Sequence, residues 1–424
     1  MFVWGACNLK GMTKSRTVRS MVAVIASGLT VFLGAGSVAS AQKTAPSTET
    51  SQVTTSSTGL GSSYFDATRT TIGTGRGATT FVDAFMQTLV RPRIAPVGAN
   101  DWTCKPTAEH PNPVILIHGT WENAYDNWSG LAPQLKKDGF CVYTPNLGRA
   151  DLWNKGGLGS LLPNTFGVAP IEHSVDQLSQ VIEAVLRSTG AKQVDLVGHS
   201  QGGVIARYYA KFGGGADTAQ PERNKVGKII TLGATNHGTT LGGMVKEKKS
   251  IDALGSAAEQ GTTSNQGLAT EQDSATAQAV PQETSASGET PRSDGGATSS
   301  SAADRAELRQ WFGGAAGAQQ ERGSEFIRKL NEGGETLPGI DYTIIATKYD
   351  GISTPYDATF LRAGEGATVR NITMQDGCEE DRSDHMTMFY SPRSVDIVRN
   401  ALDPQLVPNG TIRCEAHGNV WGSR

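Results

Sequence analysis

The chain has 424 residues, a formal net charge of −3 and an apolar content of 37%. Such a length suits one large domain with tails, or two smaller ones. With 38 basic against 41 acidic residues there is no basic stripe, which excludes nucleic acid as a partner and implies no strong electrostatic partner of any kind.

Lys10, Lys14, Arg16 and Arg19 form a positive start, and an apolar run follows from Met21 to about Val38. Ala39-Ser40-Ala41 then fits a small-x-small cleavage site. Residues 1–41 therefore read as an export signal cut before Gln42, which makes the protein secreted. An uncleaved membrane anchor is the competing reading, because the run approaches spanning length. Four cysteines follow the signal: Cys104, Cys141, Cys378 and Cys414. An even count in an exported chain points to two disulfides. Three pairings are open. The local pairs, Cys104 with Cys141 and Cys378 with Cys414, would each close a loop of about 37 residues, worth roughly 3–4 kcal/mol by the chain-entropy model. No C-x-x-C spacing occurs, so no zinc is expected.

Residues 42–100 read as a polar linker, rich in Ser, Thr and Gln to about 63, leading into a helical extension. Apolar positions 81, 82, 85, 86 and 89 give that extension a helical period over Phe81 to Val90. The main domain is expected over 101–251 and 304–403. Pro113 to Ile117 is a buried strand, Trp128 to Lys137 a helix and Phe140 to Tyr143 a strand. Val175 to Arg187 is a helix, Val194 to Val197 a strand and Gly203 to Phe212 a helix. Val226 to Leu232 and Tyr342 to Ala346 are strands, and Ser394 to Leu402 is a closing helix. Apolar strands alternating with helices imply a mostly parallel sheet covered on both faces. Residues 252–303 interrupt the pattern with Ala, Ser, Thr, Gly and Gln, and seven acidic residues against the single base Arg292. They read as a disordered insertion in a surface loop, with a substrate-gating element as the other reading. Residues 404–424 form a polar C-terminal tail.

Gly198-His199-Ser200-Gln201-Gly202 fits G-x-S-x-G, and it lies between a strand and a helix. At such a turn the two glycines leave room that a Cβ would block. The serine hydroxyl then projects above the C-terminal edge of the sheet. A serine hydroxyl needs a base, and the base needs an orienting carboxylate. In this fold the chain order is Ser, then acid, then His. His110, His118, His173 and His199 precede Ser200, and His237 precedes the best acid. His385 is the expected base; His417 lies beyond the closing helix. Asp350 follows the strand Tyr342 to Ala346 and is the expected acid. Asp341 sits on the wrong edge, and Asp357 is held in reserve. Two backbone N–H groups should face the oxyanion, from Gln201 and from Thr120 in Ile117-His118-Gly119-Thr120-Trp121. Gly119 is expected to let the backbone turn its amide inward.

His118-Gly119-Thr120-Trp121-Glu122-Asn123, the G-x-S-x-G segment, Gly233-Ala234-Thr235-Asn236-His237-Gly238 and Tyr349-Asp350 together resemble secreted bacterial triacylglycerol lipases of the class 2 group. The resemblance runs from about Asp101 to Leu402, apart from the insertion. It implies an α/β-hydrolase fold and action on acylglycerols, with Ser200, Asp350 and His385 as the triad and Thr120 and Gln201 as the oxyanion donors. It also implies the pairs Cys104–Cys141 and Cys378–Cys414. The insertion falls where related lipases carry a lid or cap, which puts interfacial activation in question. Some bacterial lipases hold calcium beside the catalytic histidine through an Asp. Met386 to Tyr390 carries no carboxylate, so no calcium requirement, no other metal and no cofactor are expected.

Between Gly156 and Ile171, Leu158, Leu161, Leu162, Phe166, Val168 and Ile171 either line an acyl pocket or a short lid, or simply pack on the core. The expected partner is a lipid or ester substrate, with transient contact to a lipid interface and no protein partner. Other functions remain on the same scaffold: an acyltransferase acting on cell-envelope lipids, a non-catalytic envelope-binding protein, or a peptidase, for which nothing marks a peptide cleft.

Overall fold

The computed structural model describes residues 73, 77–91, 94–153, 155–240 and 313–420. The expected export signal, the Ser/Thr-rich arm to residue 63 and the 252–303 insertion lie outside them.

Helix α1 (Phe81–Val90) is capped by the Thr80 side chain. Strand β1 (Val114–Ile117) follows, then α2 (Ala124–Trp128), α3 (Leu131–Lys137) and β2 (Val142–Tyr143). One helix was expected over 128–137, but the chain makes two. Asn123 starts α2 with a reciprocal capping box to Asp126. The break falls at Gly130, where a side chain would meet Tyr390 at 2.9 Å. Next come α4 (Ile171–Thr189), β3 (Val194–His199), α5 (Gln201–Phe212) and β4 (Val226–Leu232). Helix α4 stops at Gly190, which adopts the left-handed conformation at φ 79° that favours glycine. After the undescribed stretch come α6 (Glu325–Asn331), β5 (Asp341–Ala346), β6 (Thr368–Thr373) and α7 (Pro392–Leu402).

The six strands form one sheet in the order β2-β1-β3-β4-β5-β6, and every pairing is parallel. This is the α/β-hydrolase fold expected from the sequence. Strand residues alternate between two cores. Ile115, Ile117, Leu196, Ile229 and Ile344 pack with α4, α5 and α6, whereas Leu116, Val197, Ile230, Leu232 and Ile345 pack with α1, α2, α3 and α7. The chain steps outward from β1 to β2, then crosses back to place β3 on the other side of β1. The loops after β1 and β3 therefore diverge at the C-terminal edge, where open α/β sheets bind ligands.

Disulfides join Cys104 to Cys141 and Cys378 to Cys414. The second holds the C-terminal segment against the loop before α7. There Arg382 N donates to His417 O at 2.8 Å, His417 Nδ1 lies 2.8 Å from Ser383 Oγ, and Val420 N donates to Asp384 at 3.2 Å. Among the described residues no helix is long and apolar enough to cross a membrane.

Asp195 in β3 is 4% exposed, and its Oδ1 accepts from Asn112 Nδ2 at 3.1 Å. Burial pushes its carboxyl up to about 6, against the Asn112 bond and the Lys228 charge. The folded protein thus holds a proton at a pH where the unfolded chain has released it. Stability from this group is complete below the ordinary value of 3.8 and is lost as pH rises through about 6. Asp195→Asn is expected to exceed the wild type in stability by about 1–3 kcal/mol near pH 8, and to match it near pH 4. Urea unfolding at the two pH values measures the difference.

Candidate active site

Ser200 stands between β3 and α5 with φ 52° and ψ −121°, a conformation a side-chain-bearing residue rarely adopts. The surroundings enforce it. A methyl group on Gly198 would lie 2.4 Å from the Gly202 carbonyl carbon, and one on Gly202 would lie 2.1 Å from the Ile117 carbonyl oxygen. Ser200 N donates to Leu232 O at 2.9 Å, which ties the turn to the end of β4. Helix α5 starts immediately, at Gln201 rather than at the expected Gly203.

His385 and Asp350 meet in a buried pair, His385 Nδ1 lying 2.8 Å from Asp350 Oδ2. Asp350 Oδ1 accepts from the backbone amides of Ile352 at 2.8 Å and Ser353 at 2.7 Å, so the carboxylate cannot turn. Gly233, directly after β4, locates this pair relative to the serine turn. A methyl there would stand 3.1 Å from both Asp350 Oδ2 and His385 Nδ1, while the preceding Leu232 carbonyl holds Ser200 N. Burial acts to lower the His385 pKa, but the Asp350 charge and hydrogen bond, with Glu122 and Asp384 behind them, hold it above the ordinary imidazole range.

The loop after β1 lies against the serine. A methyl on Gly119 would be 3.0 Å from Ser200 Cβ and 2.4 Å from Glu122 Oε2. Gly119 is thus required for space, not for a left-handed turn; in this loop it is Trp121 that has a positive φ, at 65°. Gly119 N donates to Glu122 Oε2 at 2.8 Å and Trp121 N to Phe166 O at 2.9 Å, so the amides on both sides of Thr120 are committed to the protein. The Thr120 hydroxyl accepts from Gln201 Nε2 at 3.0 Å and from Gln320 Nε2 at 2.9 Å, which joins this loop to the start of α5. The Gln201 amide opens α5, where an N–H has no intrahelical acceptor.

The remaining histidines have other partners. His118 Nε2 accepts from Leu147 N at 2.9 Å and Nδ1 faces Gly119 O at 2.9 Å; burial lowers its pKa. His237 lies between Ala358 O at 2.8 Å and Glu335 Oε1 at 3.1 Å. His110 stacks on Phe140, and His173 lies 3.0 Å from Gln177 Nε2. The reserve acid Asp357 is exposed on the 3-10 turn Tyr356–Thr359, and Asp341 begins β5 at the opposite edge of the sheet. Three residues that the sequence reading left without a role join the site: Glu122, Asn127 and His199. Glu122 lies in the His118 to Asn123 motif and His199 inside G-x-S-x-G, whereas Asn127 lies outside both, and nothing in the spacing linked the three.

A family model, the class 2 lipases, matches residues 111–395. The chain belongs to the class 2 lipase family. A triacylglycerol lipase of Pseudarthrobacter phenanthrenivorans is 31% identical to this family member over 148 residues, which are 34% of this chain and 39% of that protein. One from Burkholderia plantarii is also 31% identical over 148 residues, 34% of this chain and 35% of that protein. The chain thus spans well under half the length of these relatives. The solved structure of Aspergillus fumigatus lipase B aligns with a TM-score of 0.46 and 16% identity, covering 74% of this chain and 60% of that one.

For this class 2 family member, Cys378, Glu380 and Cys414 are the only described cluster with metal-ligand spacing, and both thiols are spent in a disulfide. The Leu158 to Ile171 segment divides. Phe166, Val168 and Ile171 are buried, whereas Leu161 is exposed. Gly202→Ala is expected to drive its methyl into the Ile117 carbonyl and cost about 1–3 kcal/mol, read as a lowered Tm with loss of whatever activity Ser200 supports.

Proposed function

We propose that the protein is a secreted serine hydrolase that cleaves carboxylic esters, acylglycerols first, through Ser200, His385 and Asp350. The observation that carries this reading is the buried 2.8 Å His385–Asp350 pair beside the strained Ser200 turn. Family membership and the triacylglycerol lipases among its relatives support ester hydrolysis over the alternatives. The two disulfides support an oxidising, extracellular setting, in keeping with the export signal read from the sequence.

In this mechanism Ser200 Oγ attacks the ester carbonyl while His385 takes its proton at Nε2. Asp350 holds the opposite nitrogen protonated and stabilises the imidazolium. Negative charge develops on the carbonyl oxygen, and the Thr120 and Gln201 amides stabilise it without reorganising. Collapse expels the alcohol, which takes the proton from His385 and leaves an acyl ester on Ser200. Water then repeats the attack with His385 as base, releasing the acid and the free serine. Leu152, Trp153 and Leu161 are exposed apolar side chains between β2 and α4, which supports contact with a lipid interface.

Hydrolysis of a short and a long p-nitrophenyl ester tests the reading. Ser200→Ala should lower kcat by about 10⁶ and Asp350→Asn by about 10⁴. A Ser200→Ala protein with wild-type activity would refute it. Products formed with an added alcohol separate hydrolysis from acyl transfer. His385 must be neutral to accept the proton, and its pKa is raised. The acid limb of kcat/KM is therefore expected above the ordinary imidazole range, moving to lower pH in Asp350→Asn.

A further inference from the structure

Behind the serine lies a second histidine–carboxylate pair that the reaction above does not use. Glu122 Oε2 lies 2.9 Å from His199 Nδ1 and accepts from Gly119 N at 2.8 Å. His199 Nε2 lies 2.9 Å from the backbone carbonyl oxygen of His385. A carbonyl and an ionised carboxylate both only accept, so the ring donates from Nε2 to the His385 carbonyl and from Nδ1 to Glu122. Asn127 closes the group, with Nδ2 3.2 Å from His199 Nδ1 and Oδ1 accepting from Gly119 N at 3.3 Å. The His199 ring centre is 4.7 Å from that of His385 and 4.5 Å from that of Phe389. His199 is 0% and Glu122 2% exposed.

One carboxylate thus touches the loop of the oxyanion amides and, through one imidazole, the backbone of the proposed base. Glu122 Oε1 is buried with no hydrogen-bond partner. A buried carboxylate that leaves an oxygen unpaired costs stability. A merely structural tie between these loops could be made by neutral groups without that cost.

We propose that Glu122 and His199 form a buried positioning relay, which fixes the backbone of His385 relative to the loop of the oxyanion amides. The inference rests on the reading of Ser200, His385 and Asp350 as the triad. His385 is faced by Asp350 from the loop after β5, Asp384 from its own loop, His199 from the end of β3 and Glu122 from the loop after β1. Glu122 is faced in turn by His199, His385, His118 and Asp126. Burial acts to raise the Glu122 carboxyl, but His199, His385 and the Gly119 amide hold it below the usual range. Burial and the Glu122 charge push Asp126 well up. Of these two neighbouring carboxyls Glu122 therefore holds its charge more readily than Asp126, with His199 as its partner. The two residues have separable effects. Glu122 holds the Gly119 amide and the Nδ1 side of His199, and His199 acts through one N–H on the His385 carbonyl.

The test compares Glu122→Gln, His199→Gln and His199→Ala with the wild type in the full chain. It measures kcat and KM across pH on a short p-nitrophenyl ester, fluorophosphonate labelling, and Ser200→Ala as reference. Glu122→Gln keeps the shape and removes the charge. Its kcat is expected to fall about tenfold with KM unchanged. His199→Gln can still donate to the His385 carbonyl, so its kcat should exceed that of His199→Ala by about tenfold at equal KM. A folded, labelling-competent Glu122→Gln with the wild-type kcat would overturn the proposal, as would equal kcat in the two His199 variants. If Glu122→Gln does not fold, the His199 pair decides. Wild-type activity in Ser200→Ala would instead sink the triad reading, and is told apart by that variant alone.

Discussion

The contact between Gly202 and the end of β1 governs this molecule. Helix α5 begins so close to the Ile117 carbonyl that not even a methyl group fits between them. Three arrangements follow from that closeness. The chain must turn within one residue, which places Ser200 in its left-handed backbone conformation. The first residue of α5 is brought beside the loop after β1, where the Thr120 hydroxyl accepts from the Gln201 side-chain Nε2. Ser200 N is left to bond the Leu232 carbonyl, and that bond registers the turn against β4 and hence against Gly233, Asp350 and His385. Because β1, β3 and β4 are adjacent, all of these groups gather at one edge of the sheet.

Around this contact, imidazoles with different partners occupy different depths. His118 accepts a backbone N–H and is kept neutral by burial. His199 lies between a carboxylate and a carbonyl. His385 has the Asp350 carboxylate on its Nδ1. A fourth, His237, sits away from the serine beside Glu335. Burial would raise that carboxyl, but His237 and Arg362 hold it at about 2. The same side chain thus serves as a hydrogen-bond acceptor, a tie and a proposed base, according to what faces its two nitrogens.

Much of this was readable in the sequence because the central strands are buried on both faces. Val114 to Ile117 is an unbroken apolar run, Val194 to Val197 is broken only by Asp195, and Val226 to Leu232 keeps Val226, Ile229, Ile230 and Leu232 around Gly227, Lys228 and Thr231; all three are strands. Strand β6 escaped because it is an edge strand carrying exposed Arg370 and Asn371, so no apolar run marks it. Helix α6 escaped because seven residues with Phe326, Ile327 and Leu330 buried make too short a period to register. Serine, acid and histidine could be sorted by chain order, since each stands at a strand end or in the loop before the last helix. Glu122 and His199 could not. They are 77 residues apart, and only the pairing of β1 with β3 brings them together.

The C-terminal segment gives the site a temporal order. Residues 413–420 leave the ribosome after every strand and helix α7, yet they bond the loop that carries His385 through Arg382, Ser383 and Asp384. Cys414 locks that segment to Cys378. A nascent or reduced chain can therefore have a finished sheet and a seated serine while its histidine loop still lacks its outer clamp. The outer clamp of the histidine loop is thus supplied by the last described residues of the chain and secured by a disulfide.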